Sequence, residues 1–215
     1  MSQFGEHIIL KAYFDMVGVE NGYLVDIGAY QKEFSNTWSL LKDGWKGLLV
    51  DATPQNIEPI LKDFAGLDVQ VVCAGISDED ALREMHLHGH TGHNSLMEDW
   101  YPVNKLESAI WIQVRTLQSL LSEMDVSFDF DLLSIDTEGM DARIMSWFLP
   151  SKFKPKVIVT ESTSYDDARG LYETFGYQFM GLTGPLDNPY SNSFFTRLPL
   201  PPDDFYDKTT LRRPT

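Results

Sequence analysis

The sequence predicts an α/β domain built on a mostly parallel sheet, and three observations predict it. Short, nearly continuous apolar runs alternate with stretches of helical apolar spacing, as expected for strands covered on both faces. Most of these runs end on a carboxylate: Asp26, Asp51, Asp136 with Glu138, and Glu161 with Ser162. The chain is also the right size, because 215 residues suit one domain with a full core, and 43% hydrophobic residues exclude a disordered polyanion.

Taken in order, Phe4, Ile8, Ile9, Ala12 and Tyr13 fall on one face of a first helix that is expected to pack on the sheet. Strands are predicted at 23–26, 47–51, 69–73, 111–114, 131–135 and 157–160. Helices are predicted at 35–42, 54–64, 117–124, 140–148 and 166–175. Pro54 suits a first helical turn and Thr116 an N-cap. After Gly176, the runs 177–182 and 192–198, joined by turn-rich 183–191, read as a hairpin closing one sheet edge. Residues 82–110 break the alternation and read as an insertion near the ligand site, with Met85, His86, Leu87 and His88 followed by 89–94, Trp100 and Tyr101. Residues 1–198 thus form a single domain, and 199–215, rich in Pro and charge without apolar periodicity, are expected to be a flexible tail.

Composition narrows the partners. A single cysteine, Cys73, excludes a disulfide framework and a zinc site built mainly from cysteine. With 17 Lys+Arg against 32 Asp+Glu, the net charge of −15 argues against nucleic acid or an anionic membrane, both of which need clustered cations. No run approaches the roughly 20 apolar residues of a membrane span. The first 22 residues are broken by Glu6, His7, Lys11, Asp15 and Glu20, unlike a signal peptide. A cytoplasmic protein acting on a small molecule is the expectation; nothing in the composition speaks to an oligomeric state.

Ligands of open α/β sheets bind beyond the carboxyl ends of the strands, where strand order reverses. Four of the six predicted strands deliver a carboxylate there, and Asp78 follows a fifth within a short loop. Any one such acid could merely cap the next helix. The first turn contains Gly28, but the later glycines of a dinucleotide fingerprint are replaced by Tyr30 and Glu33. Tyr30 would crowd a pyrophosphate and Glu33 would repel it. Asp51, 23 residues after Gly28, is placed to accept hydrogen bonds from ribose hydroxyls. Ribose without pyrophosphate in an acidic site suggests S-adenosylmethionine, a ligand whose sulfonium and ammonium outweigh its carboxylate.

These residues resemble a known family. Asp26-Ile27-Gly28-Ala29, Ser35-Asn36-Thr37, Gly44-Trp45-Lys46-Gly47, Val114-Arg115-Thr116-Leu117, Leu133-Ser134-Ile135-Asp136-Thr137-Glu138-Gly139 and Glu161 look like the FkbM-type class I methyltransferases. The resemblance runs from about Gly22 to Leu198. It implies a Rossmann-like, seven-stranded, mostly parallel sheet with an antiparallel final strand. It further implies S-adenosylmethionine as cofactor and O-methylation of a small hydroxylated molecule or sugar. By the same resemblance Asp26, Gly28 and Ala29 line the methionine part, Asp51 the ribose, and Gly75, Ser77 and Asp78 the adenine. Two departures stand out: Asp51-Ala52 replaces the family's common Glu-Pro, and Ser134 stands where many members have Lys.

The rim acids admit two readings. In one, Asp136 and Glu161 share a hard divalent cation such as Mg²⁺, as acids at similar strand ends do in metal-dependent catechol-type O-methyltransferases. In the other, Glu138 and Asp141 favour a helix N-terminus and Asp136 holds the methionine ammonium. Asp136 is also a catalytic candidate. The cluster His86, His88, His90 and His93 reads as a transition-metal site, a substrate loop with one general base, or a solvated loop. His93, among Gly92, Asn94 and Ser95, is the candidate base. Trp38, Trp100, Tyr101 and Trp111 are candidates for an apolar acceptor pocket. The functional alternatives are a nicotinamide-dependent oxidoreductase and a catalytically silent binding module of the same fold.

Overall fold

The structure is a computed structural model and describes residues 2–98, 107–161, 165–184 and 191–213. Strands β1 (Tyr23–Ile27), β2 (Lys46–Asp51), β3 (Val69–Cys73), β7 (Leu132–Ile135), β8 (Val157–Glu161), β9 (Gln178–Leu182) and β10 (Asn192–Thr196) form one sheet. Its order is β3-β2-β1-β7-β8-β10-β9, and the first five of these run parallel. β10 lies antiparallel between β8 and β9, as the predicted hairpin required. The chain winds outward from β1 to β3 and then restarts at β7 on the other side of β1. That reversal puts a crevice beyond the carboxyl ends of β1 and β7.

The apolar runs are continuous because the central strands bury both faces, while the edge strand β3 is only partly buried. Val25, Leu48, Val50, Leu133, Ile135 and Ile158 join one core with residues of α4 (Leu117–Glu123), α5 (Asp141–Phe148) and α6 (Tyr165–Thr174). Leu24, Leu49, Leu132, Val157 and Val159 join the other with α1 (Glu6–Val17), α2 (Trp38–Lys42) and α3 (Pro54–Asp63). Alternate residues thus point to opposite layers. Pro54 opens α3, and the Thr116 Oγ1 accepts the Ser119 N–H at 3.1 Å to cap α4.

The structure corrects the sequence in three places. The run at 111–114 is part of β6 (Ser108–Arg115), which belongs to a separate three-stranded sheet with β4 (Gly75–Ile76) and β5 (Ala81–Leu87). An apolar run signals a strand but not the sheet it joins. On α1 the buried face is Glu6, Ile9, Leu10, Tyr13 and Phe14, while Ile8 is exposed. Residues 199–213, expected to be flexible, hold α7 (Asp203–Lys208); Phe205 and Leu211 are buried in the second core, and Arg212 bridges to Leu182. Two apolar anchors suffice to dock this segment although they show no period. Trp100, Tyr101 and Ser162 lie outside the described residues. Among the described residues, no helix is long and apolar enough to cross a membrane.

Candidate active site

A cavity of about 210 Å³ opens at the crevice between β1 and β7. Its lining includes Asp26, Gly28, Asp51, Gly75, His93 and Asp136, six of the residues singled out from the sequence. Ala29, Ser77, Asp78 and Glu161 are not on that lining. Ala29 is buried in the second core. Ser77 donates to Asp78, whose Oδ1 also takes the Arg83 guanidinium at 3.0 Å on an exposed surface.

The β1 and β2 ends are fixed by hydrogen bonds. Asp26 accepts from Thr37 Oγ1 at 2.6 Å and from the Ser134 hydroxyl. Burial pushes its pKa up to about 6, against the pull of those two donors. Asp51 Oδ1 accepts the Thr53 N–H at 2.7 Å, and Asn56 Nδ2 donates to both carboxylate oxygens at 3.2 Å. Burial raises Asp51 likewise to about 6. Gly28 has φ +82°, and a Cβ there would sit 1.7 Å from the Asp136 carbonyl oxygen. The glycine is therefore required by the closeness of the loop after β7, whatever ligand approaches it.

The β7 and β8 ends are different. Asp136 follows β7 and Asp141 begins α5; with Glu161, the last residue of β8, each offers an oxygen within 4.8 Å of the others. Asp141 Oδ1 accepts the Thr137 N–H at 2.9 Å and its hydroxyl at 2.5 Å. Asp136 Oδ1 and Glu161 Oε2 are buried without a hydrogen-bond partner. Burial, then the charges of neighbouring acids, drives both carboxyls well above the ordinary range. Glu138, in the same turn, has φ +52°.

The inserted segment lines one side of the cavity and is tied by two neighbouring residues to both halves of the strand rim. Asn94 Nδ2 donates to Thr53 Oγ1 at 3.2 Å beside β2, and Ser95 Oγ donates to the Glu138 carbonyl at 2.7 Å beside β7. Just before them in the chain, a 3₁₀ turn at Thr91–His93 brings His90 and His93 to the lining with ring centroids 4.7 Å apart. Burial first, then the neighbouring His90 and His88, lowers the His93 pKa, which favours neutral imidazole. The histidines do not assemble with other His, Cys, Asp or Glu into a ligand cluster among the described residues; only the three rim acids do.

Of the aromatic candidates, Trp38 and Trp111 do not line the cavity. Trp38 packs edge-on against Phe64 at 5.1 Å, and Trp111 is 69% exposed on the small sheet. Tyr30 and Phe34 line it instead, 5.9 Å apart. Their position just after β1 was the available signal, but Tyr30 had been read there only as an obstacle to pyrophosphate. Asn192, at the start of β10, is a further lining residue that no local pattern marks.

Residues 26–180 match the family model described as the methyltransferase FkbM domain. No curated protein matches the sequence. Solved structures share the fold at low identity. TrmK of M. capricolum, in complex with S-adenosyl-homocysteine, is 10% identical with a TM-score of 0.55, the match covering 92% of this chain and 69% of that one. Sp1610 of Streptococcus pneumoniae is 15% identical with a TM-score of 0.51, covering 92% and 73%. A TehB-like SAM-dependent methyltransferase from Corynebacterium glutamicum is 14% identical with a TM-score of 0.47, covering 90% and 87%.

Proposed function

The chain belongs to the methyltransferase FkbM family, and from that premise we propose that it transfers the methyl group of S-adenosylmethionine to a hydroxyl of a small acceptor in the cavity beside β1 and β7. The observation that carries this reading is the convergence of Asp26, Gly28, Asp51 and Gly75 on one cavity at the reversal of strand order. The fit is chemical. The cofactor presents hydrogen-bond donors in its ribose hydroxyls, its ammonium and its adenine amine, and the cavity presents carboxylates. Asp51, held by Thr53 and Asn56, keeps lone pairs for the ribose hydroxyls. Asp26 lies where a carboxylate offsets the charge of the ammonium. Gly75 lines the cavity at β4, the position we assign to the adenine.

The cofactor supplies an activated methyl group for in-line displacement. The protein's tasks are to align the acceptor oxygen and to take its proton. His93 is the residue assigned to the proton, since it lines the cavity and its lowered pKa favours the neutral imidazole. Among the described residues, the lining contains Asp26, Asp51, Asp136 and Glu138 and no Lys or Arg. That favours an uncharged or cationic acceptor over the phosphates of a nucleic acid.

Calorimetry with S-adenosyl-homocysteine tests the reading. One equivalent is expected to bind, about tenfold or more weakly after Asp51→Ala, on the scale of a lost charged hydrogen bond. Absence of binding by the intact protein would discard the proposal. NADH binding in its place would select the oxidoreductase. Tight binding with no methyl transfer to any acceptor would select a silent module.

A further inference from the structure

Asp141 and Glu161 are buried beside the half-buried Asp136, without a cationic side chain among the described residues. None of Asp136, Asp141 and Glu161 belongs to an ion pair among the described residues. Asp141 is anchored by Thr137, but Asp136 Oδ1 and Glu161 Oε2 have no donor among the described residues. Glu161 is 9% exposed, so water reaches it poorly.

A neutral residue makes the same point independently. Asn192 is 5% exposed and its Oδ1 has no hydrogen-bond partner. Its Nδ2 donates to Glu6 Oε1 at 3.1 Å, and that bond decides which end of the amide is oxygen. Asn192 is the cross-strand partner of Glu161. Residues opposite one another on antiparallel strands project on the same face, with Cβ atoms about 5 Å apart. Asn192 and Asp136 both line the cavity. The edge of the cavity at β7, β8 and β10 thus gathers acid and amide oxygens that have no donor among the described residues.

We propose that Asp136, Asp141 and Glu161 bind one divalent cation of the Mg²⁺, Mn²⁺ or Ca²⁺ class, with Asn192 Oδ1 as a neutral oxygen beside it. An all-oxygen donor set suits hard cations and not zinc or copper, which favour nitrogen and sulfur. A divalent cation would engage both orphaned carboxyl oxygens and Asn192 Oδ1 at once. It also deepens the proposed function, on which only this part rests: a cation in the cavity wall, with positions left open, selects an acceptor that offers hydroxyl oxygens and makes them more acidic. Asp136 then serves the cation, and Asp26 is left to face the cofactor ammonium.

The test uses metal alone on chelator-treated, dialysed protein. Mn²⁺ titrated into the wild-type chain without cofactor is expected to bind at one site, read by loss of the free-ion electron paramagnetic signal, and to raise the melting temperature. Mg²⁺ is expected to compete. Glu161→Gln is expected to weaken Mn²⁺ at least tenfold while its metal-free melting temperature stays near wild type, because the amide keeps the size and shape of the carboxyl. Should that variant fold poorly, Asn192→Ala keeps all three acids and is expected to weaken Mn²⁺ several-fold. No saturable Mn²⁺ binding by the wild type, or unchanged affinity in Glu161→Gln, would overturn the site. S-adenosyl-homocysteine binding in the same samples separates the failures: retained, it leaves the cofactor reading standing and removes only the cation.

Discussion

The two halves of the strand rim carry the same kind of residue in opposite states. At β1 and β2, Asp26 and Asp51 have oxygens engaged by Thr37, Ser134, Thr53 and Asn56. At β7 and β8, Asp136 and Glu161 each keep a buried oxygen with no donor. A carboxylate held by the protein's own donors is already oriented for a ligand. One left without them is completed only by what binds. The first half reads as a finished cradle for the cofactor, and the second as a site whose last member is supplied from outside.

The largest effect is expected where the halves meet. Gly28 stands at the end of β1 against the carbonyl of Asp136. In Gly28→Ala the new Cβ would occupy the space of that oxygen at a φ that L residues avoid. We expect a loss of about 4 kcal/mol or more, or no folded protein, by denaturant unfolding. A stable Gly28→Ala would show that the two halves can separate, and would remove the seam that the comparison assumes.

Next in size is His93, which the inserted segment places over both halves. His93→Ala is expected to cut turnover about 100-fold, in the range of a lost general base, while S-adenosyl-homocysteine affinity stays near wild type. Turnover at the wild-type rate would move the proton acceptor elsewhere on the rim.

How legible each half was follows from how local its signals are. Asp26, Gly28 and Asp51 follow strands directly and sit at a recognisable spacing, so sequence alone placed them together. Asp136 was legible for the same reason. Asp141 was seen only as a helix-start residue, because its approach to Glu161 depends on how α5 packs against β8. Asn192 was missed altogether: it lies 31 residues from Glu161 and meets it only through antiparallel pairing. The small sheet was missed for a related reason, since 111–114 has the apolarity of a central strand and pairing partners are chosen by tertiary contacts. The family's sheet of seven strands, by contrast, is written in repeated strand-then-helix periods that survive without any knowledge of partners.

The smallest expected effect sharpens what being finished means for the first half. Asp51 has its folded-state pKa raised to about 6 by burial, above the ordinary 3.8. A raised carboxyl adds stability that is complete below 3.8 and lost as pH rises through 6. Lowering the pH from 7 to 5 should therefore stabilise the ligand-free protein by roughly 1 kcal/mol from this group, a gain that Asp51→Asn should lack. Affinity should move the other way. Protonated Asp51 gives up its charge-assisted bonds to the ribose, so S-adenosyl-homocysteine should bind about tenfold more weakly at pH 5 than at pH 7. Opposite trends in melting and calorimetry over the same interval would mean that Asp51 is held charged for its ligand at a cost to the fold. Parallel trends would mean that its hydrogen bonds serve the fold alone, and the contrast between the halves would then rest on Asp136 and Glu161.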